Sequence, residues 1–222
     1  MSNFDFSIVW KFHDALLKGL LTSIELSLIC ALLGTLLGFF IGLGRQSSSR
    51  AVRFTTALYV EIIRGTPVLI TLFWVFFCLP ILLNMDLGVF VSSVIAMTLY
   101  MAAVTSESFR SALKSIGQDQ YDASRALGLD PLTHAIYVIA PQALMRAIPN
   151  LLSNTVSLFK ESALVSAVGM VELMFTAQNI SNITARPVEV LTVTALIYFA
   201  VGFALTRVVN GVESRILNRV GS

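Results

Sequence analysis

The sequence predicts an all-α integral membrane protein with about five transmembrane helices, its N-terminus outside and its C-terminus in the cytoplasm. Three observations carry that prediction. Of 222 residues, 56% are hydrophobic and 13% are charged, and the mean hydropathy is +0.81, far too apolar for a soluble domain of this size. Five stretches are long enough for a span of about 20 mostly apolar residues. Basic residues collect at alternate ends of those stretches, as cytoplasmic loops require.

Residues 1–18 come first. They lack the positive start and small-residue cleavage site of a secretory signal. Phe6, Val9, Trp10, His13 and Leu17 recur at helical spacing, so an interfacial helix on the outer surface is expected over Ser2 to Lys18. A single membrane domain is expected over residues 19–213, with spans at about 20–43, 57–83, 89–113, 147–168 and 188–209. In the first span Gly34, Gly38 and Gly42 are four apart and line one face with small residues, which lets a neighbouring helix approach closely. Glu25 falls near the outer end of that span. Glu61 and Arg64 in the second span, and Glu107 and Arg110 in the third, are three apart and are expected to pair along their own helices. Arg45, Arg50 and Arg53 follow the first span; Arg110, Lys114, Arg125 and Arg146 surround the third connection; Arg207, Arg215 and Arg219 close the chain. These regions are therefore assigned to the cytoplasm, with residues 214–222 as a tail. The links at Asn84 to Gly88 and Gly169 to Pro187, with Arg186 as their one basic residue, are assigned to the outside.

The long cytoplasmic connection, residues 115–145, holds a polar island in an otherwise membrane-soluble chain. Its punctuation predicts a helix, a bend and a second helix. Gly128 suits the left-handed end of the first helix, Asp130 suits the cap of the next, and Pro131 suits its first position. Asp119, Asp122, Arg125 and Asp130 would then lie in water against a soluble partner. On spacing alone an ordinary interhelical loop fits equally well.

The fourth span carries charge at depth. Each charged side chain at the bilayer centre costs about 2.5 to 3.5 kcal/mol unless it is paired or hydrated. Lys160 and Glu161 are adjacent and so point about 100° apart. Asn154, Ser157 and Glu161 share a face, as do Ser153, Ser157 and Lys160. One side of this helix is polar over much of its length, which marks a candidate pathway.

Several chemistries are missing. The chain has no Gly-x-x-x-x-Gly-Lys-Ser/Thr phosphate loop, no His-Glu-x-x-His helix and no Gly-x-Ser-x-Gly elbow. Two His and two Cys are scattered and form no metal-ligand pattern. Cys30 and Cys78 fall in spans and imply no disulfide framework. A net charge of +2, explained by the topology, gives no support to nucleic-acid binding.

The connection and the polar helix together resemble the membrane permease subunits of bacterial ATP-binding-cassette (ABC) importers of the polar amino acid type. That family's loop reads Glu-Ala-Ala, three residues, Gly, nine residues, Ile, one residue, Leu-Pro. Here Asp122-Ala123-Ser124 precedes Gly128 at the same interval, and Val138, Ala140 and Pro141 fall at the later positions. Asp122, Ser124, Val138 and Ala140 are mild departures. Arg64-Gly65-Thr66-Pro67, Glu107-Ser108-Phe109-Arg110, Lys160-Glu161-Ser162-Ala163-Leu164 and Glu172-Leu173 match further family segments in the right order.

The resemblance implies the type I importer permease fold in a bacterial inner membrane. It also implies an assembly of two ATPase and two permease subunits, the second permease identical or a sister chain, fed by an external amino-acid-binding protein. No cofactor is expected in this chain; ATP and Mg would be bound by the ATPase, which alone would be catalytic. Asp119, Tyr121, Asp122, Ala123, Ser124, Arg125, Gly128, Asp130 and Pro131 would form the coupling helix and corner. Thr66, Asn154, Ser157, Lys160 and Glu161 would border the amino-acid pathway. The main rival is an ion-coupled secondary transporter, which also suits mid-membrane Lys and Glu, but no internal repeat is visible. A scaffold protein would leave the capped corner unexplained.

Overall fold

The computed structural model describes residues 6–220, and side chains up to Ile216. The expected elements at Ser2 to Asp5, the Arg219 side chain and the last residues of the tail lie outside the described residues. The chain is 88% helical. In order it forms α1 (Ser7–Lys11), α2 (His13–Gly44), α3 (Arg50–Gly65), α4 (Val68–Leu83), α5 (Gly88–Lys114), α6 (Gln118–Ala126), α7 (Pro131–Val168), α8 (Leu173–Thr184) and α9 (Pro187–Val220). Helices α2, α5, α7 and α9 are each long and apolar enough to cross a membrane, and the bent pair α3–α4 makes a fifth candidate.

That bent pair corrects the expected second span. The helix does not run straight from residue 57 to 83; α3 and α4 meet at 109°. Pro67 is the cause. Its ring disfavours the helical region for the residue before it, and Thr66 is accordingly extended at φ −106°, ψ 137°. Helix α3 buries only Val60 and mixes exposed Arg50, Arg53, Glu61 and Arg64 with exposed Phe54, Leu58 and Ile62. It is held to α5 by the Tyr59 hydroxyl, which donates to the Leu99 carbonyl at 2.6 Å. Pairing within α3 is also corrected. Arg64 lies 3.8 Å from Glu107 of α5, because the bend brings the end of α3 against that helix.

Two further elements differ from expectation. Only Ser7–Lys11 forms a separate short helix at the N-terminus, and His13 to Lys18 already belong to α2. The reason is packing, since Leu16 is buried with Leu173, Ile180 and Val190, while Ile8, Val9 and Phe12 cover that cluster. The outer link at 169–187 contains α8, which buries Leu173, Ala177, Ile180 and Ser181. At about 1.5 Å per residue it is too short to register as a span.

The glycine face of α2 meets α5. A Cβ built on Gly34 would fall 2.5 Å from Met101 Cβ, and one on Gly38 would fall 2.7 Å from the Ala102 carbonyl oxygen. On Gly42 the nearest atoms are 3.4 Å away. A side chain can shift but a helix carbonyl cannot, so Gly38→Ala is expected to cost about 1–3 kcal/mol. Gly42→Ala should cost far less. Thermal unfolding of the two purified variants in detergent checks the difference.

The largest buried cluster joins Leu26, Cys30, Leu72, Val75, Met97, Met101, Leu158 and Val165 from α2, α4, α5 and α7. Toward the basic ends of the helices the clusters are small: Phe109, Ala112 and Ala147 in one, Ile116, Ile139 and Ala143 in the other.

Candidate functional site

The polar connection folds into a corner with little slack. Helix α6 ends at Gly128, whose φ of +68° is left-handed. The Leu129 N–H donates to the Ser124 carbonyl at 3.1 Å and the Gly128 N–H to the Arg125 carbonyl at 3.0 Å, which satisfies the last carbonyls of the helix. Two residues later Asp130 caps α7, accepting from the Leu132 and Thr133 N–H groups at 3.1 Å each. Hydrogen bonds from Thr133 and the neighbouring backbone hold the Asp130 carboxyl below the usual carboxylate range, so it is a charged cap at neutral pH. Pro131 occupies the first turn of α7, where its missing N–H costs nothing.

One side of α6 is fixed and the other is free. Ser124 is buried and donates to the Gln120 carbonyl at 2.8 Å. The Tyr121 ring packs on His134 at 5.1 Å between centroids, and Gln142 donates to Gln120 at 3.1 Å. The His134 ring nitrogens are shielded from solvent, so this residue is packed rather than solvated as its loop position implies. Asp119, Asp122, Ala123, Arg125 and Asp130 are exposed. So are Leu127 and Leu132, at 77% and 68%. These two apolar residues flank the corner and were not among the sequence candidates; the signal was there, as leucines within a polar island.

The polar face of α7 divides between two neighbours. Asn154 donates to Ser108 of α5 at 2.9 Å. Glu161 accepts from the Tyr100 hydroxyl of α5 at 3.1 Å, and its Oε2 is buried with no hydrogen-bond partner among the described residues. Ser157 and Lys160 turn the other way, into a cavity of about 180 Å³ shared with Ser153 and with Thr206 and Asn210 of α9. The spacing put Ser157 on two faces, with Asn154 and Glu161 and with Ser153 and Lys160; the structure brings it together with the second set. Thr66 sits at the α3–α4 bend, where its hydroxyl donates to the Ile62 carbonyl at 2.8 Å. Thr206 and Asn210 escaped the sequence reading because α9 is otherwise so apolar.

Between corner and polar face lies a cationic cross-brace. Glu107 accepts from Arg45 at 2.6 Å and from Arg110 Nε at 2.9 Å, with Arg64 also within ion-pair range. One carboxylate thus ties α2, α3 and α5. The pairing of Glu107 with Arg110 matches its i, i+3 spacing.

A family profile described as binding-protein-dependent transport system inner membrane component matches residues 34–218. The chain belongs to this family. As an inner membrane component of such a system it is a multi-pass importer subunit, which decides against the ion-coupled carrier. The arginine transport system permease protein ArtQ of Bacillus subtilis is 30% identical over 214 residues, covering 96% of this chain and 98% of that one. The putative glutamine transport system permease protein GlnP of Rickettsia prowazekii is 31% identical, with coverages of 75% and 76%. The crystal structure of an amino acid ABC transporter with histidines has a TM-score of 0.92 at 29% identity, covering 96% of this chain and 99% of that one. The inward-facing MetNI methionine ABC transporter shares the fold, with a TM-score of 0.71 at 21% identity and coverages of 91% and 98%. The family's name implies an external binding protein, and its ABC relatives imply a separate ATPase.

Proposed function

We propose that this inner membrane component is the permease that passes a polar amino acid from an external binding protein to the cytoplasm. Relatives named for glutamine, arginine and L-cystine transport support an amino-acid cargo. The observation that carries the pathway is Glu161, whose Oε2 is buried without a partner partway along α7. A buried carboxylate oxygen without a donor is costly, and a substrate ammonium would supply the missing bond. Lys160, in its cavity with Ser157, would meet the substrate carboxylate, while Asn154 and Thr66 border the route.

Drive would come from outside the chain. A pair of ATPase subunits would hold ATP and Mg and seat the α6 corner in a groove. Exposed Asp119, Asp122, Arg125 and Asp130 would face that groove, with Leu127 and Leu132 as apolar anchors. Tyr121 and Ser124 would set the helix on its packed side, Ala123 would lie on the exposed side facing the groove, and Gly128 and Pro131 would fix the angle. A second permease, identical or a sister chain, would complete the route.

Uptake by the assembled importer in vesicles tests the pathway. Glu161→Gln and Asn154→Ala are each expected to lower kcat/KM for the transported amino acid by about tenfold, the equivalent of 1.4 kcal/mol. Normally assembled variants with unchanged affinity and rate would remove these residues from the route.

A further inference from the structure

We propose that the headgroup of an anionic phospholipid binds a basic pocket between the inner end of α5 and the start of α6. The pocket, about 320 Å³, is lined by Arg110 and Lys114 of α5, Gln118 and Tyr121 of α6, and Gln46 from the α2–α3 turn. That volume is far above the ~10–15 Å³ of such space that one water needs, so a group larger than a water fits.

Charge decides the class of ligand. Arg45, Arg64 and Arg110 share the single carboxylate of Glu107, and Lys114 makes no ion pair among the described residues. Glu61 is the other carboxylate close enough to influence Arg110. Of the residues that line the cavity, Arg110 and Lys114 are cationic and none is acidic; the nearest carboxylate on α6, Asp122, lies 3.4 Å from the Gln118 amide. Arginine and lysine bind phosphate oxygens by charge-assisted hydrogen bonds, and the amides of Gln46 and Gln118, held only by long bonds to the Gly42 carbonyl (3.5 Å) and Asp122 (3.4 Å), can turn to add neutral donors.

Position decides the source. The pocket lies at the end of α5 that carries Arg110 and Lys114, where basic residues mark the cytoplasmic side of the helices. Basic pockets between helices on that side are suited to anionic lipids. Leu113 gives the cavity an apolar margin against which the glycerol and the first acyl carbons can rest. A lipid seated there touches both α5 and Tyr121, and so braces the corner against the spanning bundle. The proposal is independent of the cargo and of the route along α7.

Native mass spectrometry of the assembled importer, released from phosphatidylcholine vesicles containing phosphatidylglycerol, tests it. Wild type is expected to retain phosphatidylglycerol in preference to phosphatidylcholine. The double variant Lys114→Gln, Gln46→Leu should bind it about fivefold more weakly, with uptake in pure phosphatidylcholine unchanged. Both positions lie outside the Glu107 brace, so assembly is preserved. Equal retention by variant and wild type, or no preference in either, overturns the proposal. Displacement of the lipid by millimolar inorganic phosphate would assign the pocket to a soluble anion and overturn the lipid source.

Discussion

Glu172→Ala is expected to destabilise the purified protein by about 3 kcal/mol, lowering its unfolding temperature by roughly 10 °C. Glu172 is fully buried. Its Oε2 accepts from the Ser23 hydroxyl at 2.9 Å and the Tyr198 hydroxyl at 2.7 Å. Its Oε1 caps α8 by accepting from the Phe175 N–H at 2.8 Å. Ser23 in turn accepts from the Leu173 N–H at 3.2 Å. One side chain therefore joins α2, α8 and α9, and truncation leaves three donors short of an acceptor. Orphaned buried donors cost about 1–3 kcal/mol each; Ser23 recovers part of its loss, since the Gly19 carbonyl lies 3.1 Å away. Glu172→Gln keeps one carbonyl oxygen and should lose about 1 kcal/mol. Equal unfolding temperatures for wild type and the alanine variant would show that the three helices are held by packing alone.

The second large effect is expected at Gly128, and it falls on turnover rather than stability. A Cβ there would meet no atom within 4 Å, so any penalty comes from the backbone. At a φ of +68° an ordinary L-residue costs about 1–2 kcal/mol, and a β-branched one is a genuine outlier. Gly128→Val should open the turn and change the angle between α6 and α7. Stimulated ATP hydrolysis by the importer is expected to fall about tenfold while the ATPase still copurifies. Asparagine tolerates the left-handed region, so Gly128→Asn should stay close to wild type. A valine variant that hydrolyses normally would show that coupling does not depend on this turn.

The elements that local chemistry controls were the legible ones. Gly128, Asp130 and Pro131 each act within a few residues of themselves, and the expected corner follows from them alone. The α2 glycines announced a close approach, though only packing names α5 as the neighbour. What escaped depends on distant partners. Arg64 has Glu61 three residues away yet meets Glu107, because Pro67 turns the chain. Glu172 looks like an ordinary acidic residue in an outer link until Ser23 and Tyr198, from opposite ends of the sequence, close around it. Of the pathway candidates, Asn154 and Glu161 were recognisable by their depth in an apolar run. The second face of Ser153, Ser157 and Lys160 was also legible from spacing; which neighbour each face meets was not, since that is decided by how α5 and α9 flank α7.

The 109° turn at Thr66 and Pro67 also decides where along the bundle the apolar packing is concentrated. Helix α4 starts at Val68 and packs only on the outer half of the bundle, where Leu72 and Val75 meet Met97, Met101, Leu158 and Val165. Nearer the basic ends α3 meets α5 through polar contacts, Tyr59 with the Leu99 carbonyl and Arg64 with Glu107, and the apolar clusters around Phe109 and Ile116 are small. The buried apolar core is therefore larger toward the outer end of the bundle than toward its basic end. On the route proposed above, a solute that had passed the level of Tyr100 and Glu161 would have most of the apolar packing behind it, and the more sparsely packed inner half would be the part to flex with whatever pushes on the corner.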